Sequence, residues 1–231
     1  MPGTTIERER GRRDELVAAC RDSARLAVRH HGRMDSTGWD RRYGGSELVW
    51  TADANRFLVA EVEQLPPGRA LDLACGEGRN AVWLAERGWQ VTGVDFSPVG
   101  LDKAARLAEQ REVAVQWVVA DLAEYVPPAG GFDLVAVLYL HIDAAVMRKV
   151  LQRAAAAVAP GGTLLVVGHD PTNIEHGHGG PQNAAILMAP DEIAGALPGL
   201  AVQRAERVRR PVATAGEEVY AIDALVRAVR G

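Results

Sequence analysis

Apolar residues follow two alternating periods along most of this chain. Short runs rich in Val, Leu and Ala, at Ala70 to Leu73, Gln90 to Val94, Ala114 to Val119, Phe132 to Leu140 and Thr163 to Gly168, read as buried strands. Between them the period changes to that of a helix. One helix spans about Arg79 to Arg87 and stops at Gly88; a second opens at Ser97, with Pro98 at its first helical position, and runs to about Glu109. A third is capped by Asp143, carries the stripe Val146, Met147, Val150, Leu151, Ala154 and Val158, and is closed by Ala159-Pro160-Gly161-Gly162. A short helix near Asp191 to Leu197 precedes two last strands, about Leu200 to Arg207 and Glu218 to Val226. Strand and helix in alternation specify an α/β fold, a mostly parallel sheet with helices on both faces.

Upstream the pattern differs. Residues Thr4 to His31 are rich in Arg and Glu, with Leu16, Cys20, Ala24 and Ala27 at helical spacing, so residues 1–38 read as an N-terminal helical extension to a domain over 39–231. Trp39-Asp40-Arg41-Arg42-Tyr43 reads as loop or short helix, and a further helix is expected from Ala52 to Leu65, with Leu58, Val62 and Leu65 on one side.

Composition narrows the partners. At 231 residues, a net charge of -4 and a pI near 5.9, the chain offers no general attraction for phosphate backbones, so nucleic acid is not an expected partner. No apolar run approaches a membrane span, and Met1 to Arg13 lack the apolar core of a secretion signal; no membrane partner and a cytoplasmic location are expected. Cys20 and Cys75 make neither a disulfide framework nor a zinc pattern, and Cys75 reads as a small apolar filler.

The chemistry gathers at Leu71-Asp72-Leu73-Ala74-Cys75-Gly76-Glu77-Gly78-Arg79-Asn80, followed by Val94-Asp95-Phe96-Ser97. A strand that ends in a glycine turn lets a ligand approach the backbone, and an acid at the tip of the next strand can accept both hydroxyls of a ribose. Gly76-x-Gly78-x-x-Ala81 also fits a loose dinucleotide fingerprint, which keeps a nicotinamide-dependent oxidoreductase as a rival. Glu77 and Asp72 would repel a pyrophosphate, whereas a cationic sulfonium with an ammonium group tolerates them, so the charges favour S-adenosylmethionine. A cofactor-binding protein without catalysis is the second alternative.

These segments, with Trp39-Asp40-x-Arg42-Tyr43, resemble the class I S-adenosylmethionine-dependent methyltransferases, and within them the small-molecule branch that contains tellurite-resistance and thiopurine methyltransferases. The resemblance implies a Rossmann-like seven-stranded sheet of order 3-2-1-4-5-7-6 with the last strand antiparallel. It implies that Gly76 and Gly78 meet the methionine moiety, that Asp95 binds the ribose with Phe96 beside it, and that Asp121 and Leu122 hold the adenine. Asp72 belongs to the same pocket, and Arg42 and Trp50, in a cluster with Trp39 and Tyr43, are candidates to cover it, Arg42 toward the methionine carboxylate. Ala74 stands where the family usually has the first glycine of the turn, which implies altered packing there.

Methyl transfer from a sulfonium needs alignment, exclusion of water and, for a hydroxyl acceptor, removal of a proton. His141, at the end of the fourth strand, is the candidate general base, and His169, with Asp170, closes the fifth. The Asn/Asp-Pro-Pro-Tyr/Phe signature of nucleobase amino-methyltransferases is missing after the fourth strand, which points to a small molecule methylated at a hydroxyl or a soft chalcogen. The loop His169 to Gln182 holds His169, His176 and His178 without a recognised ligand spacing, and reads as a lid with no metal.

Overall fold

A computed structural model describes residues 36–45, 49, 52–212 and 218–231. The 1–38 extension, apart from its last residues, and Trp50 lie outside the described residues. Seven strands form one sheet: β1 (Arg69–Leu73), β2 (Gln90–Asp95), β3 (Val115–Val119), β4 (Phe132–Leu138), β5 (Val158–His169), β6 (Ala201–Val212) and β7 (Val219–Val229). Their order is β3-β2-β1-β4-β5-β7-β6, parallel from β3 to β5, with β7 antiparallel to both of its neighbours. Among the described residues the α-helices are α1 (Ser36–Tyr43), α2 (Arg56–Val62), α3 (Arg79–Glu86), α4 (Pro98–Gln110), α5 (Ala144–Ala157), α6 (Asn173–His176) and α7 (Pro190–Gly195).

The sheet separates two apolar layers because successive side chains of a strand face opposite ways. Leu71, Leu73, Val135, Val137, Val166 and Val226 pack with Val150, Leu151 and Ala154 of α5 and with Ile193 of α7. On the other face Ala70, Leu134, Ala136, Leu165 and Leu225 meet Leu58 and Val62 of α2 and Ala81 and Leu84 of α3. Burial on both faces is why the central strands read as continuous apolar runs. Among the described residues no helix is long and apolar enough to cross a membrane.

Local chemistry sets the boundaries. Ser97 accepts the Gly100 N–H at 3.0 Å and opens α4, and Asp143 accepts the Ala145 N–H at 2.9 Å and opens α5, as their capping positions predict. The helix expected from Ala52 is shorter, because Asn55 captures the Phe57 and Leu58 amides at 2.9 and 3.3 Å and fixes the start at Arg56. β4 ends at Leu138, two residues early, because Tyr139 takes a left-handed φ of 55° that no strand continues. β5 starts at Val158 instead of Thr163: Pro160-Gly161-Gly162 bulge out of register, and Gly161 donates to the Arg230 carbonyl at 2.8 Å.

Candidate active site

The crevice outside the carboxyl ends of β1 and β4 is where ligands lie in a sheet of this order. β1 delivers the chain into a turn with three left-handed residues, Ala74 (φ 61°), Gly76 (φ 54°) and Gly78 (φ 80°). The two glycines serve different ends. A Cβ on Gly78 would fall 2.6 Å from the Ala104 side chain and 2.8 Å from Trp117, so this glycine lets α3 pack closely on α4 and β3. A Cβ on Gly76 would face the Tyr43 hydroxyl at 3.0 Å. Tyr43, buried against Gly100 and stacked on Trp39 at 5.3 Å, thus covers the turn. Arg42 lies on the outside, its guanidinium 5.2 Å above the Trp39 ring; α1 turns Tyr43, rather than Arg42, toward the glycines.

Asp95 is buried at the tip of β2. Its two oxygens accept the Gly76 and Ser97 amides, each at 2.9 Å, which braces the turn against the second strand. Each carboxylate oxygen keeps a further lone pair for a hydroxyl donor. Burial raises its pKa against the pull of those amides. Asp40 of α1 joins the site through the Ser97 hydroxyl, which donates to it at 2.5 Å. Phe96 is half-buried beside Asp95. Asp121 accepts the Ala123 amide at 2.8 Å and so caps its own turn, and Leu122 is buried in the core layer below.

Three charged residues divide the electrostatics of the turn. Glu77 is buried, but it meets Lys103 at 3.0 Å and accepts the Val49 amide at 2.9 Å, so its charge is compensated within the protein. The expectation that Glu77 repels a pyrophosphate therefore does not hold, because Lys103, a turn and a half into α4 and 26 residues away, is buried against it. Asp72 is different. It is 1% exposed, and neither carboxylate oxygen has a hydrogen-bond partner among the described residues. Burial first, and then the Asp95 charge, push its pKa up to about 7, with Arg79 and the nearby Ala81 amide, which falls short of a well-formed hydrogen bond, opposing. Burial in turn lowers the Arg79 guanidinium, which shares its surroundings with Asp72, Asp53 and Arg210. Burial also raises Cys75 well above an ordinary thiol, as suits an inert filler.

A second polar cluster closes β4, β5 and β7. Asp223 is fully buried; the Tyr139 hydroxyl donates to it at 2.7 Å, Arg210 Nε donates at 2.8 Å, and His169 Nδ1 lies 3.0 Å away. Burial alone would raise the Asp223 carboxyl, but the contacts from His169, Tyr139 and Arg210 outweigh it and hold the pKa below the usual value. His141 stacks on His169, ring centroids 5.3 Å apart, and its Nε2 faces the His169 amide at 3.4 Å. Burial, with His169 adding, pushes the His141 pKa down to about 4. His141, the candidate base, is thus unprotonated near neutrality, with a weaker affinity for a proton than a free imidazole. Both imidazoles line a depression with Leu140, Met147, Leu187 and Met188. The sequence reading missed Tyr139, Arg210 and Asp223, although a single Asp in the apolar run Val219–Val229 was a legible signal of a buried charge.

The loop after β5 packs on this cluster. Asp170, fully buried, accepts the Thr172 amide at 2.8 Å and pairs with Arg207 at 2.9 Å. A Cβ on Gly180 would stand 2.8 Å from the His169 ring. His176 and His178 are exposed, and no group of three His, Cys, Asp or Glu among the described residues converges as metal ligands would.

Residues 70–162, which include the glycine turn, Asp95 and the Asp121 turn, match the family model of a methyltransferase domain. Demethylmenaquinone methyltransferase of Thermus thermophilus is 36% identical over 129 residues, 55% of this chain and 57% of that protein. The chain spans about half the length of the sequence relatives it matches. Among solved structures, the N-methyltransferase NodS from Bradyrhizobium japonicum WM9 in complex with S-adenosyl-l-homocysteine superposes with a TM-score of 0.64 at 19% identity, covering 84% of this chain and 97% of that one. TehB from Haemophilus influenzae gives a TM-score of 0.64 at 15% identity, covering 85% and 67%. The sheet order, the glycine turn and the matched segment agree in placing a methyltransferase domain over residues 70–162 of this chain.

Proposed function

We propose that the chain transfers the methyl group of S-adenosylmethionine to a small-molecule acceptor, at a hydroxyl or a soft chalcogen. The observation that carries this reading is Asp72: a fully buried carboxylate with neither oxygen partnered, set under a turn whose glycine faces an aromatic cover. A buried charge of that kind is costly unless a cation meets it. An ammonium or sulfonium does so; a pyrophosphate does not, which disfavours a nicotinamide cofactor even though Glu77 no longer counts against it. Asp95 would hold the ribose hydroxyls with its remaining lone pairs, Asp72 would serve the cationic end, and Tyr43 would exclude water above the turn. When bound, the cofactor supplies an activated methyl group, and the protein supplies alignment and a dry site.

Small-molecule acceptors suit the second cluster, where an apolar depression meets two imidazoles. Three of the four arginines of β6 are engaged by carboxylates, Arg204 with Glu61 and Glu206, Arg207 with Asp170 and Arg210 with Asp223, which supports a chain without nucleic-acid partners. Calorimetry tests the reading: S-adenosylhomocysteine should bind with micromolar order and NAD should not. Asp95→Ala should cost about 1 to 3 kcal/mol of that binding, because the ligand hydroxyls lose their acceptors. Tight NAD binding with no response to S-adenosylhomocysteine would overturn it.

A further inference from the structure

We propose that His169 and Asp223 form a proton-accepting dyad at the acceptor end of the sheet, His169 as catalytic base and Asp223 as its positioning residue, so that the acceptor carries an ionisable hydroxyl. The inference rests on the methyl-transfer reading above and chooses between its two acceptor classes.

The pair follows from topology. In the β5/β7 ladder His169 is the direct cross-strand partner of Asp223, and directly opposed side chains on one sheet face are contact neighbours. Nδ1 lies 3.0 Å from Oδ1, within reach but not aligned for a hydrogen bond as it stands; in the dyad the neutral ring carries its proton on Nδ1 and its lone pair on Nε2. Catalytic contacts of this kind come into line when a site is occupied. Asp223 is itself fixed from two other elements: Tyr139 at the end of β4 donates to Oδ2 at 2.7 Å, and Arg210 on β6 donates to the same oxygen at 2.8 Å. A fully buried carboxylate held by three groups is a costly arrangement for packing alone, since an apolar trio of similar volume would be at least as stable.

Every titratable or charged neighbour of His169 fits the role. Asp223 supplies the negative charge that an imidazolium needs, with Arg210 compensating it on the far side. Tyr139 meets the ring edge-on at 5.2 Å and stays neutral, because burial and Asp223 raise its pKa. Asp170 is engaged by Thr172 and Arg207. His141, stacked on the ring and unprotonated at neutral pH, adds bulk and no competing charge. The step then balances: the acceptor oxygen bonds to the methyl carbon as the carbon–sulfur bond breaks, that electron pair goes to sulfur, and the hydroxyl proton goes to His169 Nε2 and later to water. The apolar walls, Leu140, Met147, Leu187 and Met188, suit an aromatic body for that hydroxyl.

The test uses the full chain with S-adenosylhomocysteine or tritium-labelled S-adenosylmethionine, and phenols of graded acidity as acceptor probes. Long-range ¹⁵N–¹H spectra of the neutral His169 ring in the wild type should place its proton on Nδ1; a proton on Nε2 overturns the dyad. His169→Gln should lower transfer to phenols by about 10² to 10⁴, with S-adenosylhomocysteine affinity within a few fold. Asp223→Asn should lower it at least about tenfold and redistribute the His169 proton between its nitrogens. If that variant does not fold, Tyr139→Phe, which removes one donor from the carboxylate, should give a smaller shift in the same spectrum. Unchanged turnover in His169→Gln overturns the proposal, as does a wild type that binds S-adenosylhomocysteine yet methylates no phenol or methylates thiols alone. Failure of the wild type to bind S-adenosylhomocysteine sinks the methyl-transfer reading itself, which separates the two.

Discussion

Replacing Asp72 by Asn should stabilise the unliganded protein at high pH while weakening its hold on the cofactor. A carboxyl whose pKa is raised from 3.8 to about 7 retains its proton in the folded state by roughly 4 kcal/mol, at 1.36 kcal/mol per pH unit. The folded chain therefore binds more protons than the unfolded chain between about pH 4 and 7. Stability from this group is greatest below 4, falls as pH rises through that window and levels off above 7. Asn removes the charge but leaves a buried amide that costs about 1 to 3 kcal/mol, so the net gain at pH 8 should be roughly 1 to 3 kcal/mol. For a chain of this size that is a rise of about 2 to 4 °C in melting temperature per kcal/mol. At pH 5 wild-type Asp72 is already protonated and the gain should vanish. Thermal melts at pH 5 and 8, with and without saturating S-adenosylhomocysteine, check both halves: the wild type should gain more from the ligand than the variant. Parallel pH profiles for the two proteins, or an Asn variant less stable at pH 8, would refute the argument that Asp72 is a charge awaiting a cation.

Lys103→Met should cost about 3 kcal/mol in urea unfolding, because it removes a buried ammonium from buried Glu77. The double variant with Glu77→Gln should recover most of that, and a double variant no better than the single one would show the pair is not coupled. Ala74→Gly should raise stability by about 0.5 to 1 kcal/mol: glycine relieves a left-handed φ of 61°, partly offset by the freer unfolded chain. Gly180→Ala meets both a φ of 77° and the His169 ring 2.8 Å from its new methyl group. It should depress acceptor turnover several-fold with S-adenosylhomocysteine affinity unchanged, as a titration of both would show.

Much of the fold was legible because its signals are local. Ser97-Pro98 and Asp143 announce helix starts with their own side chains, and apolar runs of five to seven residues between helical periods leave a parallel sheet as the consistent solution. The glycine turn was legible for the same reason: Asp72, Gly76 and Asp95 lie in two consecutive strands and the turn that leaves the first. What failed to show were pairings over long separations. Glu77 and Lys103 are 26 residues apart, and Tyr139 and Asp223 are 84 apart, so no periodicity joins them. Arg42 and Tyr43, adjacent in sequence, differ in role only because α1 turns one inward and the other out, and an eight-residue helix with a weak apolar stripe does not announce its inner face.

The proposed choice of His169 over His141 as the base illustrates how topology sets chemistry that sequence position alone leaves open. Both histidines end parallel strands, and either one satisfies a rule that places functional residues at carboxyl ends. What distinguishes them is β7, which enters antiparallel between β5 and β6 and so brings a mid-strand residue, Asp223, level with the last residue of β5. His141 has no directly paired acid: it lies beyond β4, past the left-handed Tyr139, and burial and the second imidazole outweigh the pull of Asp223 and lower its affinity for a proton. The same inserted strand carries the hairpin that returns Arg210 to Asp223, so one antiparallel crossover supplies the acid, its counter-charge and its register opposite the base. A base placed this way is fixed by the ladder of backbone hydrogen bonds instead of by a loop, which is the rigidity that proton transfer to a positioned group requires.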